Sequence, residues 1–105
     1  MKKAEVTKIL KSIPGWRSFC FNYERRMPPG SVGFPDYCLV NPSAGCVVFI
    51  EAKLGKDKLN TKQEEVRQDF REVAKKNSNL KYFLLTENNI HEIVQEIIGG
   101  CGNEN

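Results

Sequence analysis

The run Cys46-Val47-Val48-Phe49-Ile50-Glu51-Ala52-Lys53 constrains this chain more than any other stretch. Its residues are β-branched, aromatic and apolar on both faces until the end, which predicts a strand at the centre of a sheet covered on both sides. Strand periodicity puts Val47, Phe49, Glu51 and Lys53 on one face. That face changes from apolar to charged at its C-terminal end, where a site can open.

The flanking segments supply the rest of such a sheet. Val6, Ile9, Leu10 and Ile13 recur at helical spacing within Ala4 to Ile13, and Pro14-Gly15 ends that helix. Trp16 to Tyr23 alternates Phe19, Phe21 and Tyr23 with Cys20 and Asn22, a strand pattern. Glu24 to Gly33, with its prolines, glycines and paired arginines, reads as an exposed loop. Asp36 to Val40 and Cys46 to Lys53 form two strands joined by Asn41-Pro42-Ser43-Ala44-Gly45. A loop, Leu54 to Leu59, leads to a helix that Thr61 and Glu64 cap, with Val66, Phe70, Val73 and Ala74 as its apolar face. Leu80 to Thr86 is a further strand. Asn89 and Glu92 cap a last helix that buries Ile90, Ile93, Val94, Ile97 and Ile98 and ends at Gly99-Gly100.

The expected order is α-β-β-β-α-β-α, an α/β fold with a mixed central β-sheet flanked by helices. A chain of 105 residues has room for one core. We expect one domain over residues 1–98 and a flexible tail over residues 99–105.

No stretch approaches the ~20 apolar residues of a membrane span. MKKAEVTKIL lacks the long apolar run and cleavage site of a signal peptide, so a cytoplasmic protein is expected. Cys20, Cys38, Cys46 and Cys101 contain no CxxC pair, and His91 is the single histidine, which argues against structural zinc. Cys20, Cys38 and Cys46 are expected to be reduced, small hydrophobes. His91 is assigned no role. The net charge of +3 is compatible with a polyanionic partner without specifying one.

The chemistry concentrates on Asp36, Glu51 and Lys53. A hairpin can bring the Asp36 carboxylate beside Glu51, and two such carboxylates repel unless a cation lies between them. Magnesium suits hard oxygen donors and keeps waters for a phosphate substrate, with the Ala52 carbonyl as a further ligand. Lys53 beside the metal can orient an attacking water and stabilise a negative transition state. An ExK pair alone is more often a solvated surface pair. Its setting after GFPD and at the end of a buried strand reverses that preference. Gln63, three residues before Val66, faces inward near the same place, although it can also serve as a cap.

The stretch GFPDYCLV…VVFIEAK…LNTKQ resembles the PD-(D/E)xK nuclease superfamily, and within it the small VRR-NUC proteins. Gly33, Pro35, Asp36, Glu51, Lys53 and Gln63 carry the resemblance. It implies a restriction-endonuclease-like core and a Mg2+-dependent endonuclease, with Mn2+ as a substitute. It also implies branched DNA or Holliday junctions as substrate, a homodimer, and a bacterial or phage-infected cell as the setting. The resemblance further implies a first-helix glutamate in the metal shell, which Glu5 matches and for which Glu24 is the alternative. Arg25, Arg26, Lys56, Lys58 and Lys62 surround the site and are candidates to hold a DNA backbone. The competing expectations are a non-catalytic nucleic-acid-binding module that kept the fold, and an unrelated α/β interaction protein.

Overall fold

The computed structural model describes residues 1–21 and 33–100. The elements in order are α1 (Lys3–Lys11), β1 (Arg17–Cys20), β2 (Tyr37–Asn41), β3 (Cys46–Ala52), α2 (Thr61–Lys76), β4 (Leu80–Leu85) and α3 (Ile90–Gly99). They form an α/β fold in which a four-stranded mixed sheet, ordered β1-β2-β3-β4, carries three helices. β1, β2 and β3 are antiparallel neighbours, with Tyr37 opposite Ile50 and Cys20. β4 runs parallel to β3 from Val47–Leu80 to Ala52–Leu85. A parallel pair needs a crossover, and α2 supplies it.

The two faces of β3 are covered differently. Cys46, Val48, Ile50 and Ala52 point into a core shared with Val6 and Leu10 of α1, Leu39, Leu85, and Ile90, Ile93 and Ile97 of α3. Each Val, Leu or Ile among them, fully buried, contributes about 1.5–3 kcal/mol, so this face contributes heavily to the fold's stability. The opposite face carries Phe49 against α2. Phe70 of α2 lies 4.6 Å from Phe49 and stacks on Tyr82 at 5.6 Å, and Phe34 meets Phe49 edge-on at 5.8 Å.

Several local expectations change. The first strand ends at Cys20 rather than Tyr23, while Asn22, Tyr23 and the loop through residue 32 lie outside the described residues. Val73 is 47% exposed and Ile98 55% exposed, so neither belongs to its helix's buried face. In α2 the inward stripe is Gln63, Val66, Phe70 and Ala74, and Val73 falls off it. Asn89 opens α3 without capping it. Its side chain accepts from the Thr86 N–H (2.7 Å) and donates to the Leu84 carbonyl (2.9 Å), closing the preceding turn instead. Gly99 is still helical, and Gly100, at φ 81°, is where the helix stops. Cys20 and Cys38 are free thiols, but Cys46 is disulfide-bonded rather than reduced. The expected tail beyond Gly100 is outside the described residues. No helix among the described residues is long and apolar enough to cross a membrane.

Candidate active site at the carboxyl end of β3

Asp36 directly precedes β2, and Tyr37 pairs with Ile50, so one further step of the register sets Asp36 opposite Glu51. Both carboxyls are buried, at 4% and 1% exposure. Asp36 is held from two sides. Its Oδ2 accepts the Ala52 N–H at 2.8 Å, and its backbone carbonyl accepts the Phe21 N–H at 2.9 Å. Phe34, two residues earlier, is anchored among Phe21, Phe49 and Phe70. Gly33 opens this approach. Its φ is +92°, and a Cβ there would lie 3.0 Å from the Lys62 carbonyl oxygen, so a side chain is excluded both by conformation and by space.

Glu51 shares its sheet face with Phe49 and lies beside the aromatic cluster. Its pKa is raised to about 8, first by burial and then by the Asp36 charge and a hydrogen bond with Asp36, against the opposing pull of Lys53 and Lys3. Tyr82 is pushed up too, first by burial and then by the Glu51 charge. Lys53 Nζ lies 3.7 Å from Glu51 Oε2.

Gln63 touches the same oxygen, and the reason lies in how α2 begins. The capping pair is Asn60 and Gln63, one step earlier than Thr61 and Glu64. Asn60 Oδ1 accepts the Gln63 N–H (2.8 Å), and Gln63 Oε1 accepts the Asn60 N–H (3.0 Å). With its oxygen fixed in the cap, the amide turns Nε2 toward Glu51 Oε2, at 3.3 Å. The cap role and the site role of Gln63 are therefore one arrangement.

Glu5 is not brought to the site. Its carboxylate is exposed and accepts the Lys2 N–H at 2.8 Å, closing the first turn of α1. The α1 residue that does reach the site is Lys3, whose Nζ lies 3.2 Å from Asp36 Oδ2. As a base it does not stand out among candidate ligands in the sequence, although Val6 and Leu10 place it on the buried face by helical spacing.

The loop after β3 is fastened by the Gly55 N–H, which donates to both Glu87 oxygens at 3.0 and 2.9 Å. Beside it a cleft of about 490 Å3 is lined by Lys53, Lys58, Arg67 and Glu87. Lys56, Lys58 and Lys62 are all exposed, Lys58 on the cleft wall, and Lys62 pairs with Glu65 at 3.5 Å. Arg25, Arg26 and Glu24 lie outside the described residues. His91 is exposed on α3.

Among the described residues no group of three or more His, Cys, Asp or Glu is placed to hold a metal. An ion here would have two carboxylates, with backbone carbonyl and water for the rest. That sparse set of hard oxygens fits Mg2+, which keeps much of its water, better than it fits zinc.

No protein-family model, curated protein or solved structure matches this chain.

Proposed function

We propose that this chain is a metal-dependent DNA endonuclease of the VRR-NUC kind, with its element order forming a restriction-endonuclease-like core. The observation that carries the reading is the buried contact between Asp36 and Glu51, with Lys53 and Gln63 both on Glu51. Two touching carboxyls out of water are costly unless a proton or a cation joins them. A protein that needed only stability would place apolar residues there. Pro35-Asp36, Glu51-x-Lys53 and Gln63 match the PD-(D/E)xK pattern at the same points.

In this reading Asp36, Glu51 and the Ala52 carbonyl hold Mg2+ or, as a substitute, Mn2+. The bound ion supplies a more acidic water and offsets charge on a phosphoryl oxygen. Lys53 orients the attacking water and stabilises the charge that develops on the phosphate. Gln63 fixes the Glu51 carboxylate so that its free lone pairs face the site. With Glu5 engaged at Lys2, water would supply the remaining ligands of a bound ion. Lys56, Lys58 and Lys62, together with Arg25 and Arg26, hold the DNA backbone.

A branched substrate such as a Holliday junction, and a homodimer presenting two sites to opposing strands, follow from the same likeness. The setting is then the cytoplasm of a bacterial or phage-infected cell. Disulfides are rare in such a compartment. The site does not depend on the Cys46 bridge, because Cys46 opens β3 and Glu51 lies at its other end.

The test is cleavage of branched, flapped and linear DNA with Mg2+ or Mn2+, with Asp36→Ala as control. We expect cleavage by the wild type and a loss of at least about a hundredfold in the variant. Equal cleavage by the variant, or none by the wild type on any substrate, overturns the assignment. DNA binding without cleavage would instead identify a non-catalytic binding module.

A further inference from the structure

We propose that Lys3 is a built-in counter-cation of the Asp36–Glu51 pair, and that it competes with a divalent metal for Asp36. The inference rests on reading that pair as a metal site. Lys3 Nζ lies 3.2 Å from Asp36 Oδ2, and the same oxygen already accepts the Ala52 N–H at 2.8 Å. A carboxylate oxygen offers two lone pairs, so both of this one's are in use. A metal that takes this oxygen must displace Lys3. One that takes the other oxygen sits beside an ammonium group. Either way the charge on Lys3 opposes it.

Lys3 is not placed there by chance. Its backbone carbonyl accepts from Thr7 Oγ1 (3.0 Å) and from the Tyr37 hydroxyl (3.3 Å), and those two hydroxyls lie 2.9 Å apart. Tyr37 is the residue next to Asp36, so the first turn of α1 is tied to the chain that presents the carboxylate. Val6 and Leu10, both fully buried, follow Lys3 on the same helix face and hold it over the sheet. The Lys3 side chain is 47% exposed, whereas the Asp36 side chain is 6% exposed. Its ammonium can therefore withdraw to water at little cost while its backbone stays anchored. The Lys3 charge is also felt at Glu51, where it weakly opposes the rise in pKa that burial causes. A cation that contacts Asp36 from a fixed turn, with its charge also felt at Glu51, is a placeholder for the ion.

The test is calorimetric titration of Mn2+ and Mg2+ into the wild type, Lys3→Met, Lys3→Arg and Asp36→Asn, without DNA. Methionine keeps the length of the side chain and removes its charge, and arginine keeps the charge. Because the pair is half exposed, we expect Lys3→Met to bind about two- to fivefold more tightly. Lys3→Arg should match the wild type, and Asp36→Asn should lose binding. Thermal unfolding with and without metal checks that each variant folds, and metal should raise the midpoint most in Lys3→Met. Unchanged or weaker binding by Lys3→Met, with Asp36→Asn inactive in binding, overturns the role of Lys3 and leaves the metal site standing. Binding by Lys3→Arg as tight as by Lys3→Met overturns it as well. Absence of metal binding by the wild type, or wild-type binding by Asp36→Asn, overturns the underlying reading and the inference with it.

Discussion

Glu51 holds a carboxyl beside Phe49, Tyr82 and the start of α2, where water is scarce, and burial above all pushes its pKa up to about 8. An unfolded chain gives up the carboxyl proton near the ordinary value of 4.5. Between these values the folded state keeps a proton that the unfolded state has lost. The resulting stabilisation is complete below the lower pKa and disappears as pH rises through the upper one. Metal-free protein should therefore unfold at a higher temperature at about pH 5 than at about pH 8.5, and Glu51→Gln should flatten that difference. A wild-type profile no steeper than that of Glu51→Gln would sink this account. Metal needs the ionised carboxylate, so its binding at pH 7 should release about one proton, measurable in buffers of different ionisation enthalpy. At this scale Asp36, Glu51, Lys53 and Gln63 were legible because type and spacing converge at the end of one apolar strand. Glu5 was chosen by type alone, and type does not show that its carboxylate turns back to the Lys2 N–H. Lys3 was missed because it matters through a long-range contact with Asp36, which only the assembled sheet creates.

Among the elements, α2 joins the fold to the site. Its start is fixed by the Asn60–Gln63 pair and its middle by Phe70, so both bear on where Gln63 meets Glu51. Gln63→Glu separates the two roles, because glutamate serves equally well as the distal partner of a capping box. It replaces the donor to Glu51 with a third carboxylate beside the Asp36–Glu51 pair. We expect thermal stability within about 1 kcal/mol of the wild type and a large loss of DNA cleavage. A variant that cleaves normally would reduce Gln63 to a cap. Phe70→Ala removes the ring that Phe34, Phe49 and Tyr82 share. Because Phe70 is only half-buried, a cost of about 2–3 kcal/mol in urea denaturation is expected, at the low end for such truncations. β3 and α2 were readable from sequence because each carries a dense apolar pattern. The start of α2 differs by one residue because Asn60-x-x-Gln63 and Thr61-x-x-Glu64 are both valid capping pairs in sequence, and the folded chain closes the first of them. Val73 and Ile98 were assigned to buried stripes that are narrower than the runs of apolar residues suggest.

In the whole molecule the two faces of the sheet divide stability from chemistry. The α1–α3 face is mainly aliphatic, with Tyr37 and Trp16 in its core, and closed, while the α2 face is aromatic and opens to charge at the carboxyl end of β3 and β4. That parallel pair ends beside the start of β2, which is why Asp36, Glu51 and the first turn of α2 converge there. A sheet with this asymmetry tolerates changes at the open end that its closed face would not. Lys56, Lys58 and Lys62 lie at the open end and are all exposed. The exposed Lys62–Glu65 pair is worth too little to hold Lys62 back from a phosphate. If each of the three neutralises one phosphate, the logarithm of DNA affinity should fall with the logarithm of salt concentration with a slope of about −2 to −3 from these residues. Replacing all three with glutamine in an Asp36→Asn background, where no cleavage intervenes, should flatten the slope by that amount. The unfolding temperature should barely move, since none of the three is buried. An unchanged slope would place the DNA elsewhere on the surface, and a collapse in stability would mean that these lysines serve the fold instead.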